Sequence, residues 1–100
     1  MYLLVWEYLV ADVQRPAFEH TYGPEGEWVR LFASAKGYLG TELCRDEEFP
    51  RRYVSIDRWA SAEAYRRFRQ ERSAEYHALD LRFEALVEHE AFLGGFMSGK

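Results

Sequence analysis

The chain has 100 residues, 48% of them hydrophobic and 17% aromatic, with a formal net charge of -4 at pH 7. A chain this apolar can offset the entropy of ordering, so disorder is excluded, and its length provides one core rather than two. The acidic balance argues against holding a nucleic-acid backbone, and the lone Cys44 against a disulfide-stapled secreted scaffold.

Met1-Tyr2-Leu3-Leu4-Val5-Trp6-Glu7 has no basic residue ahead of its apolar run and soon reaches an acid. Neither a signal peptide nor a membrane span fits, so a cytoplasmic location is expected. Tyr2 to Ala11 reads as a strand. Its even face carries Tyr2, Leu4, Trp6, Tyr8 and Val10, its odd face Leu3, Val5, Glu7 and Leu9, and both are apolar enough to need a cover.

Asp12 is expected to cap a helix that tolerates Pro16 in its first turn and carries Phe18 and Tyr22 on one face. Tyr22-Gly23-Pro24-Glu25-Gly26 breaks that helix. A second helical stretch carries the stripe Trp28, Leu31, Phe32 and Ala35, with Gly37 as its expected C-terminal cap.

Tyr38 to Asp46 and Arg52 to Trp59 read as strands joined by a charged hairpin loop. The second alternates cleanly, with Tyr53, Ser55, Asp57 and Trp59 on one face and Arg52, Val54, Ile56 and Arg58 on the other. Ser61 is a helix N-cap with Glu63 in the first turn, followed by inward Tyr65 and Phe68. A further stripe holds Tyr76, Leu79, Phe83 and Leu86, and Glu90 to Met97 closes the chain as a strand weakened by Gly94-Gly95.

The order strand, broken helix, strand, strand, broken helix, strand predicts an α+β, ferredoxin-like β-α-β-β-α-β fold. Residues 1–100 are expected to form a single domain with a four-stranded antiparallel sheet and helices on one face. The open face would be a large apolar patch, which a second copy packing sheet against sheet would cover.

The chain resembles the antibiotic biosynthesis monooxygenase (ABM) domain family of the dimeric α/β-barrel superfamily. The resemblance spans nearly its whole length. It rests on the first strand, on Phe18-Glu19-His20-Thr21-Tyr22-Gly23-Pro24-Glu25-Gly26-Glu27-Trp28, on Gly37-Tyr38-Leu39-Gly40-Thr41-Glu42-Leu43, and on Tyr53-Val54-Ser55-Ile56-Asp57-Arg58-Trp59 running into Ser61-Ala62-Glu63-Ala64-Tyr65. It implies a homodimer whose two sheets form a barrel. It also implies oxidation of phenols, quinols or anthrone-type polyketides without metal or flavin, or, in other members, haem degradation. Well-known members of both kinds use an Asn in the site; this sequence contains no Asn, so that residue cannot be carried over.

Cofactor-free oxygenation needs a base, a stabiliser for the substrate anion and walls that exclude water. His77, one position off the last helical stripe, and Asp57, on the strand face with Tyr53, Ser55 and Trp59, are the candidate bases. A buried Asp57 must pair, neutralise or work, and pairing with an Arg is the ordinary outcome. Trp6, Tyr8, Tyr53, Trp59 and Tyr76 are candidate walls for a small aromatic ligand, with His20 and Tyr22 beside the Gly-Pro break as a possible lid.

No His pair has helical metal spacing, and neither a GxGxxG nor a Walker pattern occurs, so neither a metal ion nor a nucleotide is expected; no cofactor is the leading expectation, with haem, which needs only one His, left open. Arg66, Arg67, Arg69 and Arg72 are interleaved with Glu63 and Glu71 and read as a solvated helix face rather than a nucleic-acid site. The leading expectation is a cofactor-independent monooxygenase. The alternatives are a non-catalytic dimeric ligand-binding protein and an isomerase of the same fold.

Overall fold

The computed structural model describes residues 1–99. Strand β1 (Tyr2–Leu9) is followed by a single 3-10 turn (Asp12–Gln14) and two short helices, α1 (Arg15–Tyr22) and α2 (Glu27–Ala33). Strands β2 (Tyr38–Arg45) and β3 (Arg52–Trp59) come next, then helices α3 (Ala62–Glu71) and α4 (Ser73–Phe83). A second 3-10 turn (Glu84–Leu86) leads into β4 (His89–Met97). The sheet is antiparallel in the order β2-β3-β1-β4, as expected for a ferredoxin-like α+β arrangement, and it is open, with β2 and β4 as edges.

Alternation along the strands sets the two faces. On β3, Tyr53, Ser55, Asp57 and Trp59 are buried while Arg52, Val54, Ile56 and Arg58 are not. On β1, Leu4 and Tyr8 are buried, together with Val10 just past its end, whereas Leu3, Val5, Glu7 and Leu9 stay partly exposed. The inner face packs on the helices through Phe18 and Tyr22 of α1, Trp28 and Phe32 of α2 and Phe68 of α3. Rings dominate this core: Phe18 stacks on Tyr22 with centroids 4.5 Å apart, and Trp59 meets Phe32, Tyr65 and Phe68 at 5.2–5.9 Å.

Local chemistry explains most of the boundaries. Pro16 lies in the first turn of α1, where a missing N–H costs nothing, and the Ser61 hydroxyl accepts a hydrogen bond from the Ala64 N–H as the N-cap of α3. Between α1 and α2, Gly26 is required because a Cβ there would stand 2.0 Å from the carbonyl oxygen of Thr21.

Several expectations are corrected. Asp12 does not cap a helix; its carboxylate meets Arg15 at 3.3 Å instead. The C-cap of α2 is Ser34 rather than Gly37, and Gly37 serves the turn into β2, with φ at +97° and its Cα pressed toward Ala64. The first strand stops at Leu9 and the last begins at His89, since backbone pairing with β1 runs from Leu9 opposite His89. In β4 the register slips between Val5 and Trp6, leaving Leu93 as an extra residue before Gly94 at φ +144°. Among the described residues, no helix is long and apolar enough to cross a membrane.

Candidate functional site

A cavity of about 40 Å³, open to solvent on one side, lies between the inner sheet face and the helices. Trp6 and Tyr8 of β1, Thr41 of β2, and Ser55 and Asp57 of β3 form its sheet side. Tyr22, Trp28, Val29, Phe32, Tyr65, Tyr76 and Asp80 come from the helices, and Glu90 from β4. The cavity opens in the middle of the sheet because the ends of β3 are filled. Tyr53 lies against Phe18 at one end, Trp59 lies among the rings of α2 and α3 at the other, and the small Ser55 and Asp57 between them leave space.

Asp57 is the chemical centre of this space. It is 7% exposed, and no arginine reaches it. Arg52 and Arg58, of opposite parity on the same strand, turn to the other face, where Arg52 pairs with Glu7 and Asp46 and Arg58 with Glu42. The Asp57 carboxylate receives a single hydrogen bond from the described residues, donated by the Thr41 hydroxyl to Oδ1 at 2.7 Å. A hydroxyl has one proton, so Thr41 must accept from the Tyr38 hydroxyl, 2.6 Å away. The sequence Tyr38 to Thr41 to Asp57 is thus a directed relay ending on a carboxylate whose second oxygen has no partner among the described residues. Burial pushes the Asp57 pKa up to about 6, and the Thr41 hydrogen bond opposes the rise.

The phenols around Asp57 remain neutral near physiological pH. Burial raises the Tyr8 hydroxyl well above its ordinary value and moves Tyr22 up to about 12. Tyr8 lies 3.4 Å from the Ser55 hydroxyl, with either group able to donate. At the rim, Arg69 donates to the Tyr65 hydroxyl at 2.9 Å and covers the Tyr76 ring at 3.8 Å from the centroid. Two indole nitrogens, of Trp28 and Trp59, are buried without a hydrogen-bond partner. Trp28 lines the cavity, so a ligand can reach its ring.

The candidates from sequence therefore divide. Asp57, Trp6, Tyr8, Tyr22 and Tyr76 line one cavity. Tyr53 and Trp59 share the right face but are core: Trp59 is fully enclosed, and the Tyr53 hydroxyl donates to Glu19 and accepts from Arg15. His77 is exposed on α4 and does not border the cavity, since it follows Tyr76 around the helix toward solvent. His20 is exposed and faces a separate shallow depression with Glu19, Gly23, Pro24 and Glu25.

Thr41, Tyr65, Asp80 and Glu90 were not singled out from sequence as site residues. Asp80 follows Tyr76 by four, so the helical period carried its signal. Thr41 and Glu90 enter through strand pairing, opposite Asp57 and Tyr8, which sequence does not print. No histidine or cysteine lines the cavity, so its walls offer no imidazole or thiolate to a haem iron. Among the described residues, no three His, Cys, Asp or Glu side chains gather closely enough to hold a metal ion.

Comparison with known proteins identifies the family and matches the fold. Residues 1–79 match the family model described as antibiotic biosynthesis monooxygenase. No curated protein sequence matches significantly. Among solved structures, the chain is similar to SnoaB, a cofactor-independent oxygenase from Streptomyces nogalater, at 24% identity and TM-score 0.67, covering 99% of this chain and 93% of that one. It is similar to a Bordetella bronchiseptica protein assigned to the antibiotic biosynthesis monooxygenases, at 19% identity and TM-score 0.74, over 99% and 97% of the two chains. A MhuD variant with two manganese protoporphyrin IX molecules per active site aligns at 19% identity and TM-score 0.75, over 100% and 96%.

Proposed function

Because the chain belongs to the antibiotic biosynthesis monooxygenase family, we propose that it is a monooxygenase that oxidises a small aromatic, quinol or polyketide-like substrate without metal or flavin. The observation that carries this reading is Asp57: an unpaired, buried carboxylate with a pKa of about 6, set in an aromatic cavity. A base with that pKa is mostly ionised near neutral pH and still able to take a proton. Its free oxygen removes the acidic proton of the substrate, and the resulting electron-rich anion reduces oxygen directly. For an anthrone-type methylene the balance closes with the substrate and oxygen alone: CH2 becomes C=O, one oxygen atom enters the product and the other leaves as water.

Trp6, Tyr8, Tyr22 and Tyr76 form the walls, and the neutral phenols of Tyr8 and Tyr22 donate hydrogen bonds toward developing negative charge. Asp57 takes the role of base in this reading in preference to the solvent-facing His77. The protein works as a single-domain, cytoplasmic homodimer. The open sheet face supports the pairing, since Leu3, Val5, Leu9, Val54 and Ile56 lie there without any cover from the chain's own helices. Oxygen uptake against a panel of quinols and anthrones, with metal removed by chelation, tests the activity. Uptake that disappears in Asp57→Asn is expected; no uptake with any member of the panel overturns the reading.

A further inference from the structure

The walls of the cavity carry a sign. Three carboxylates line it: Asp57, which is buried, and Asp80 and Glu90, which are exposed to solvent. No lysine, arginine or histidine is among the lining residues. Neither Asp80 nor Glu90 takes an ion pair from a described residue, as the ion pairs of the chain lie elsewhere. Glu90 is raised above the ordinary carboxylate range by desolvation first and by the Asp80 charge second, so the two acids feel each other across the cavity. Arg69 feels the Asp80 charge from a distance but makes no ion pair with it, since its hydrogen bond goes to the Tyr65 hydroxyl and its guanidinium covers the Tyr76 ring.

Trp6, Trp28 and Tyr76 also line the cavity, and aromatic rings attract cations wherever their faces are free; one face of Tyr76 is taken by Arg69. The carboxylates are too dispersed for three of them to share one metal ion, which points to an organic cation. Independently of the two rim acids, Asp57 is 7% exposed, has an unpartnered carboxylate oxygen and lines the cavity, so the deep end also lacks a donor that a ligand must bring.

We propose that the cavity selects an aromatic ligand bearing a protonated amine, its ring hydroxyl donating to Asp57 and its ammonium facing Asp80 and Glu90. The proposal rests on reading the cavity as the ligand site and adds the charge of the ligand to it. A carboxylated aromatic of the same size is rejected, since it adds a fourth negative charge to a space that holds three.

Three catechols with one ring and different tails test this: dopamine, 4-methylcatechol and 3,4-dihydroxyphenylacetate. Each is titrated calorimetrically into the intact protein without oxygen, near neutral pH and at low salt, so that binding is read apart from turnover. Dopamine is expected to bind about tenfold tighter than 4-methylcatechol, and the carboxylate weakest of the three. In the double variant Asp80→Asn, Glu90→Gln the ratio of dopamine to 4-methylcatechol affinity is expected to fall to about one; a ratio that stays near tenfold overturns the assignment. Equal affinities for all three, or tighter binding of the carboxylate, overturn the charge assignment while leaving the cavity as the ligand site. Failure of all three to bind overturns both. A preference for the amine without oxygen uptake in air sustains the charge assignment and removes the oxygenase reading.

Discussion

The two faces of the same sheet handle charge in opposite ways. On the outer face every charged strand residue of β3 has a partner: Arg52 lies 2.6 Å from Glu7 and 2.8 Å from Asp46, and Arg58 lies 3.2 Å from Glu42. These groups keep access to water, so their pairing is cheap and contributes little. On the inner face the one acid of β3 has no counter-charge, one donated hydrogen bond and almost no water. Leaving a carboxylate in that state is costly, and a fold tolerates it most readily where the group works. The apolar residues differ in the same sense. Inner rings meet other rings of the chain, whereas outer Val54 and Ile56 have no helix over them.

The strongest way to break this contrast is Asp57→Asn. As the loss of a general base it should lower turnover by about 10²–10⁴-fold. Stability should move the other way. The folded carboxyl keeps its proton up to about pH 6, while a free one loses it near pH 4, so the native state loses stability as pH rises through that window. The full loss is about 3 kcal/mol above it. The variant should therefore be more stable than the parent at pH 8 by up to that amount, with the gap narrowing as pH falls from about 6 to about 4, as denaturant melts across pH will show. An inactive variant whose stability difference is independent of pH would contradict the assignment of a buried, proton-holding Asp57.

Next in size is the outer face. Ile56→Asp places a charge in the middle of the open apolar surface and should turn a dimer into a monomer of 11.8 kDa in sedimentation. The inner face should be left intact, with the near-ultraviolet spectrum of its rings unchanged. A parent protein that already sediments at 11.8 kDa removes the covered face from the comparison.

Thr41→Val sharpens the inner side. It removes the donor that holds the Asp57 pKa down, so the acid limb of the pH–activity profile should shift upward by about one pH unit. Thr41→Ser should restore the parent profile, which a purely structural role for Thr41 does not require. The smallest effect belongs to an outer ion pair. Glu42→Ala, measured in the monomeric Ile56→Asp background so that assembly does not enter, should cost less than about 1 kcal/mol in urea unfolding.

Most of the fold was legible because its signals are local. The β3 alternation, the Ser61 cap, the Tyr22 to Gly26 break and the strand that opens the chain each depend on a few consecutive residues and give the element order directly. The boundaries of β1 and β4 moved because they depend on each other through pairing. Parity was enough to put Trp6, Tyr8 and Asp57 on the face that lines the cavity, but it carries no information on depth. Tyr53 and Trp59 have the same parity as Asp57, yet they lie under α1 and between α2 and α3, where there is no space for a ligand.

The sequence by itself determined which residues share a face, the order of the elements and, through parity, that Arg52 and Arg58 would turn away from Asp57. Periodicity is a property of the backbone and needs no partner to express it. Only the tertiary structure decided that Thr41 stands opposite Asp57, that Asp80 and Glu90 join it around one cavity, and that His77 faces solvent. Those facts depend on register and helix placement, which are set by contacts between residues far apart in the chain.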